Sequence, residues 1–126
     1  MYTRDATAPA LGIELLAAGT DGATVRLTVR PEMCNGLGIV HGGIVLLLAD
    51  SAMAFASNAG LAPGVHALAT TAEIDWLAPA RPGDQLTARA GYRAGTGRSR
   101  IWDVAVTDQN DVLVAVFRGR TRLVAR

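Results

Sequence analysis

Residues 41–58 read HGGIVLLLADSAMAFASN, and between Ile44 and Ala56 the only polar side chains are Asp50 and Ser51. After the two opening glycines the run holds no glycine or proline, so it reads as one helix from about Gly42 to Asn58. Asn58-Ala59-Gly60, followed by Pro63, supplies the stop. A helix that is apolar almost all round cannot lie on a surface. A curved sheet has to wrap it, and a partner subunit is expected to cover what remains. Asp50 is the exception within it, because an unpaired carboxylate in apolar surroundings costs on the order of several kcal/mol.

The flanking sequence supplies the sheet. Val25, Leu27 and Val29 alternate with Arg26, Thr28 and Arg30, the pattern of a half-buried strand over Ala23 to Arg30. Leu11 to Ala18 is a second β-like run, joined to it by the hairpin signal Gly19-Thr20-Asp21-Gly22. Pro31 to Val40 reads as a glycine-containing loop and residues 1–10, with Pro9, as a loose arm. Beyond the helix come His66 to Leu77, Leu86 to Arg93, Arg100 to Thr107 and Val112 to Val124. The intervening turns are Arg81-Pro82-Gly83-Asp84, Gly95-Thr96-Gly97 and Asp108-Gln109-Asn110-Asp111. Strand runs on both sides of a single helix predict an α+β fold with an antiparallel sheet. Its 126 residues make one domain, 1–126, large enough for a core.

Composition narrows the chemistry. A net charge of +1 gives no general attraction to nucleic acid or an anionic membrane, and no apolar run reaches the roughly 20 residues of a membrane span. All twelve basic residues are arginine, which removes Schiff-base lysine chemistry and the P-loop lysine. Residues 64–126 carry nine arginines against six acids, a tilt suited either to solvated strand faces or to a phosphate-bearing ligand. The single cysteine, Cys34, and the lack of a basic-then-apolar leader pattern lead to the expectation of a cytoplasmic protein.

Few residues can carry a reaction. Two glycines after His41 expose backbone N–H groups at the positive end of the helix dipole, a cradle for an oxyanion, and Asp50 lies on the same helix. Carboxylate and cradle together point to hydrolysis of an activated carbonyl. Gly43, Asp50 and Ser57 are seven apart and are expected to share one stripe facing a cleft. His41 suits an orienting residue beside the cradle better than a base, and His66 reads as a strand-start residue. With two histidines and no ligand spacing, no metal site is expected. Cys34 reads as a small buried hydrophobe, Gly36-Leu37-Gly38-Ile39-Val40-His41 falls short of a dinucleotide fingerprint, and no G-x-S-x-G elbow is present. Gly42 and Asp50 are separated by about 12 Å along a helix axis, too far to serve one carbonyl from one helix. A symmetric homodimer with antiparallel helices would bring the glycine of one subunit to the aspartate of the other, placing the site at the interface.

The ordered set Asn35-Gly36, His41-Gly42-Gly43, Leu48-Ala49-Asp50-Ser51-Ala52, Asn58, Ile74-Asp75-Trp76-Leu77-Ala78-Pro79, Gly83-Asp84 and Val116-Phe117-Arg118-Gly119-Arg120 resembles the hotdog-fold acyl-CoA thioesterases, in particular the PaaI type of phenylacetate degradation. That resemblance spans nearly the whole chain. It implies a sheet wrapped round a central helix, dimers that pair again into a homotetramer, and hydrolysis of an acyl-CoA to free acid and CoA. (Hydroxy)phenylacetyl or a related aryl or medium-chain acyl group is the substrate it implies. No separate cofactor follows, since coenzyme A is part of the substrate. By matched position Asp50 is nucleophile or general base, the Gly42 N–H holds the thioester oxygen, His41 supports that turn, and Asn35 orients the water or the thioester. Ser57, Thr70 and Thr71 compete as a further polar helper, and Gly43 belongs with the substrate-binding residues. Arg98, after Gly95-Thr96-Gly97, is a candidate for CoA phosphates, with Arg81 and Arg118 as others. Leu47, Met53 and Trp76 are candidate pocket walls. Two alternatives are a non-catalytic acyl-CoA-binding hotdog module, which would not require a buried carboxylate, and a hotdog hydratase or dehydratase, which would need a histidine acid/base.

Overall fold

The computed structural model describes residues 4–125. A short helix α1 (Thr7–Leu11) leads into strands β1 (Glu14–Gly19) and β2 (Gly22–Thr28), a 3-10 turn over Pro31–Met33, and helix α2 (Gly42–Asn58). Strands β3 (Val65–Trp76), β4 (Gln85–Thr96), β5 (Ser99–Thr107) and β6 (Leu113–Ala125) follow. They form one antiparallel sheet in the order β1-β2-β4-β5-β6-β3. This is the α+β arrangement expected from the sequence, with α2 packed against all six strands.

The packing follows from the residues on α2. Val45, Leu48, Ala49, Ala52, Met53, Phe55 and Ala56 are buried against the concave face, where β2 offers Val25 and Leu27, β4 Leu86 and Ala88, β5 Val104 and Val106, and β6 Val114 and Phe117. Three alanines on the helix let the sheet approach closely. Gly119 serves the same end from β6, since a Cβ there would collide with the Met53 thioether and the Phe117 ring. Trp102 is buried, with its Nε1–H donating to the Thr121 hydroxyl (3.1 Å) and its ring meeting Tyr92 edge-on. Polar groups inside a core need such partners.

Several expectations are corrected. The N-terminal arm is not loose over its described part: Asp5 accepts hydrogen bonds from the N–H groups of Thr7 and Ala8, α1 forms, and Ala8 and Ile13 enter the core. Residues 1–3 of that arm lie outside the described residues. Leu11 therefore ends a helix and does not open a strand. β4 runs on to Thr96, past the expected end at Arg93, through a bulge between Tyr92 and Ala94. Gly95 is part of that strand, and a Cβ there would crowd the Ser99 carbonyl and the Tyr92 hydroxyl. The turn itself is Gly97-Arg98, with Gly97 at φ +59°.

The far end of α2 is tied to β3 by one side chain. Asn58 donates from Nδ2 to the Ala54 carbonyl (2.9 Å) and the Ala67 carbonyl (3.2 Å), and its Oδ1 accepts from the Ala67 N–H (3.0 Å). Replacement by alanine leaves these backbone groups short of a partner, so Asn58→Ala is expected to lower stability by roughly 2 kcal/mol. Urea unfolding checks this: the midpoint should fall while the slope stays unchanged.

Candidate active site

The start of α2 is held on three sides. Cys34 and Val40 pair as an isolated bridge, the Asn35 N–H donates to the Ile39 carbonyl, and the Gly38 N–H donates to the Asn35 carbonyl, closing a tight loop. Val40 then donates to the Ala80 carbonyl (2.8 Å) and His41 to the Met33 carbonyl (2.9 Å), fixing the residue that precedes the helix. The His41 carbonyl accepts from both Ile44 (3.0 Å) and Val45 (3.3 Å). Among the described residues the N–H groups of Gly42 and Gly43 have no acceptor, and they lie at the positive end of a helix of 17 residues. Trp76, the last residue of β3, donates from Nε1 to the Gly42 carbonyl (3.0 Å).

Asn35 is poised to donate. Its Oδ1 is taken by the Leu37 N–H (2.9 Å), so the amide –NH2 is the end left open. The His41 side chain is exposed and makes no capping hydrogen bond.

Asp50 lies two turns further along α2. It is half-buried, has no hydrogen bond or ion pair among the described residues, and burial pushes its carboxyl above the ordinary carboxylate value of 3.8. The open stripe of the helix runs Gly43, Leu47, Asp50, Ala54, Asn58. Ser57 is not on it, contrary to the expected seven-residue stripe: at 3.6 residues per turn the position drifts inward. Ser57 is 5% exposed and its hydroxyl donates to the Ala54 carbonyl.

The other two candidate helpers lie on β3. Thr70 sits in a bulge between Ala69 and Thr71 and donates to the Arg120 carbonyl, while Thr71 pairs with Arg120 on the sheet face turned away from α2. Neither is brought to Asp50 within the chain. Met53 is fully buried core and not an open pocket wall; Leu47 is half-buried and Trp76 is 54% exposed. Arg118 is engaged by Asp103 (2.7 Å), which also pairs with Arg93. Arg98 and Arg81 are exposed and have no ion pair among the described residues. Among the described residues no three His, Cys, Asp or Glu side chains are grouped to hold a metal ion. A groove of about 720 Å3 opens at the opposite end of α2, lined by Arg4, Asn58, Leu61, Pro63, His66 and Leu68 among others. The contact of Trp76 with Gly42 was not legible in the sequence, because 34 residues separate the two and no spacing rule connects them.

A single long helix enclosed by a six-stranded antiparallel sheet is the hotdog fold. Residues 37–115 match the thioesterase superfamily, and the chain belongs to it; the protein is a thioester hydrolase. It is 39% identical over 121 residues to the acyl-coenzyme A thioesterase PaaI of Escherichia coli (strain K12), covering 96% of this chain and 84% of that one. The solved structure of the E. coli PaaI protein from the phenylacetic acid degradation operon superposes with a TM-score of 0.93 at 38% identity, covering 99% of this chain and 88% of the other. A mutant of the phenylacetic acid degradation protein PaaI from Thermus thermophilus superposes with a TM-score of 0.86 at 33% identity, over 94% and 98% of the two chains.

The unpartnered carboxylate has a cost for the fold. Because the Asp50 pKa is raised in the folded chain, its contribution to stability is fully present below 3.8 and is lost as pH rises through the raised value. Asp50→Asn is therefore expected to unfold at a higher temperature than wild type at neutral pH, with the gain vanishing below the ordinary carboxylate value. Calorimetry at the two pH values checks this. Equal unfolding temperatures at neutral pH would show that the ionised group carries no penalty.

Proposed function

We propose that the protein hydrolyses acyl-CoA thioesters to free acid and CoA, at a site completed between two copies of the chain. The observation that carries this reading is the unpartnered, half-buried Asp50 on the open stripe of a helix whose first two N–H groups have no acceptor. The Gly42 N–H receives the thioester oxygen, which gains charge as the carbonyl is attacked. Asp50 takes the proton of a water whose oxygen adds to the carbonyl carbon. Collapse of the adduct breaks the C–S bond, and the departing CoA thiolate recovers the proton. The alternative within the same reading is direct attack by Asp50, forming a mixed anhydride that water then cleaves. Asn35, with its –NH2 end open, donates to the water or to the thioester, and His41 braces the turn.

Two copies are needed because Gly42 and Asp50 lie about 12 Å apart along one axis. β3 is an edge strand of 12 residues, hydrogen-bonded on one side only, to β6. Such an edge invites a partner strand. α2 and β3 run antiparallel, with Gly42 beside Trp76 and Asn58 beside Ala67. Pairing of β3 with its copy about a two-fold axis sets the Asn58 end of one subunit, with its groove, beside the Gly42 end of the other. Thioester and pantetheine chain then lie between subunits, with Arg98 available for phosphate. The dimers pair again into a tetramer in the cytoplasm; no helix among the described residues is long and apolar enough to cross a membrane. The names of the relatives point to phenylacetyl-type acyl groups as the first to test.

Thiol release should be followed on phenylacetyl-, hydroxyphenylacetyl-, benzoyl- and straight-chain acyl-CoA. Wild type is expected to turn over the aryl-acetyl members best, and Asp50→Ala to lose about 10²- to 10⁴-fold in kcat with the oligomer intact by sedimentation. Activity requires ionised Asp50, so kcat/KM should rise with pH through a value above 3.8. Normal kcat in Asp50→Ala would remove the carboxylate from the mechanism. Single turnover in labelled water separates base from nucleophile: a base puts the label into the product acid, whereas an anhydride cleaved at the aspartyl carbonyl releases an acid free of label and leaves the label on Asp50.

A further inference from the structure

Resting on the thioesterase reading above, we infer that Trp76 is a positioning residue of that site, locking the Gly42–Gly43 peptide plane, which presents the Gly43 N–H beside that of Gly42. The two unpaired N–H groups belong to two consecutive peptide units, His41–Gly42 and Gly42–Gly43. The carbonyl of the first is held from within the helix by Ile44 and Val45. The carbonyl of the second, which opens the helix's own ladder, is held from outside as well, by the Trp76 indole N–H at 3.0 Å. A peptide unit is planar, so fixing the carbonyl fixes the direction of its N–H. Donation to the carbonyl also polarises the unit and makes that N–H a stronger donor.

The same indole is packed onto the glycine. A Cβ on Gly42 would stand 3.0 Å from Cε2 and 3.1 Å from Cζ2 and Nε1, closer than side chains tolerate unless the ring moves. Gly42 is therefore matched to Trp76, since a Cβ there would force the ring to give by a few tenths of an ångström. Core filling does not account for this tryptophan: it is 54% exposed, whereas Trp102 is 2% exposed. Nor is it loosely attached. Trp76 pairs with Ala115 of β6, and the next two N–H groups, of Leu77 and Ala78, both donate to the Val114 carbonyl. The ring is thus referenced to the sheet, and through it the start of α2 is referenced to the sheet as well.

Trp76→Phe keeps a ring on Gly42 and removes the donor. In the thiol-release assay its kcat is expected to fall roughly 3- to 10-fold with little change in KM, as for an interaction that matters only in the transition state. Trp76→Ala should fall further. Gly42→Ala should be strongly impaired in wild type but cost much less when added to Trp76→Ala, where the colliding ring is gone. Thermal unfolding of Trp76→Phe close to wild type keeps a folding defect apart from a positioning one. Unchanged kinetics in Trp76→Phe, a rise confined to KM, or additive losses in the Gly42 and Trp76 variants would each overturn the assignment. Wild type active and Asp50→Ala inactive, with Trp76→Phe normal, removes this inference alone. Absence of thiol release by wild type across the panel removes the functional reading and the inference with it.

Discussion

Enclosure of α2 governs the rest of the molecule. A helix with apolar residues on nearly every side has to be covered nearly everywhere, and six strands curve round it to do so. Alanines at 49, 52 and 56, and the glycine at 119, set how close the sheet comes. What the sheet leaves uncovered is one stripe, and the helix's single ionisable group lies on it. Asp50 is consequently neither in water nor in the core. That intermediate position raises its pKa while leaving its carboxylate reachable.

The start of α2 obeys a different constraint. Its N–H groups, without an acceptor among the described residues, are useful only if their direction is fixed, and the chain steadies this start with bonds from Val40 and His41 to the Ala80 and Met33 carbonyls and a side-chain bond from Trp76. Loop, helix and sheet therefore converge at Gly42. Preorganisation of this kind costs nothing at the moment of reaction, which is what makes backbone donors effective in a site screened from water.

The helix and most strands were legible because each is a statement about periodicity. The helix read as running from about Gly42 to Asn58 has those bounds, and the alternation of Val25, Leu27 and Val29 marked β2. α1 was not legible: five residues are too few to show a period, and Pro9 argued against a helix although it sits in the first turn. Facing was the other blind spot. A bulge at Ala69–Thr71 shifts the alternation of β3, so the sequence could not say which threonine points where. Ser57 reads as a site residue by its seven-residue spacing from Asp50, and Met53 as a candidate pocket wall, but the sheet's curvature decides which side of the helix is closed. The resemblance carried Asn35, His41, Gly42 and Asp50 as positions; it was silent on which end of the Asn35 amide is free.

The sheet order has a consequence for how the domain comes into being. β3 is made before β4 and β5, yet its hydrogen-bonded neighbour is β6, so residues 65–76 must wait for residues 113–125 before they are zipped in place. Contacts this distant in the chain are the slow ones to form. Trp76 sits at the end of β3, and Leu77 and Ala78 are anchored on Val114. During synthesis the helix and the first hairpin can collapse early, but the glycine cradle acquires its final geometry only after β6 has emerged. Assembly of the proposed reaction centre is thereby made a late event of folding, reached by chains whose sheet has already closed.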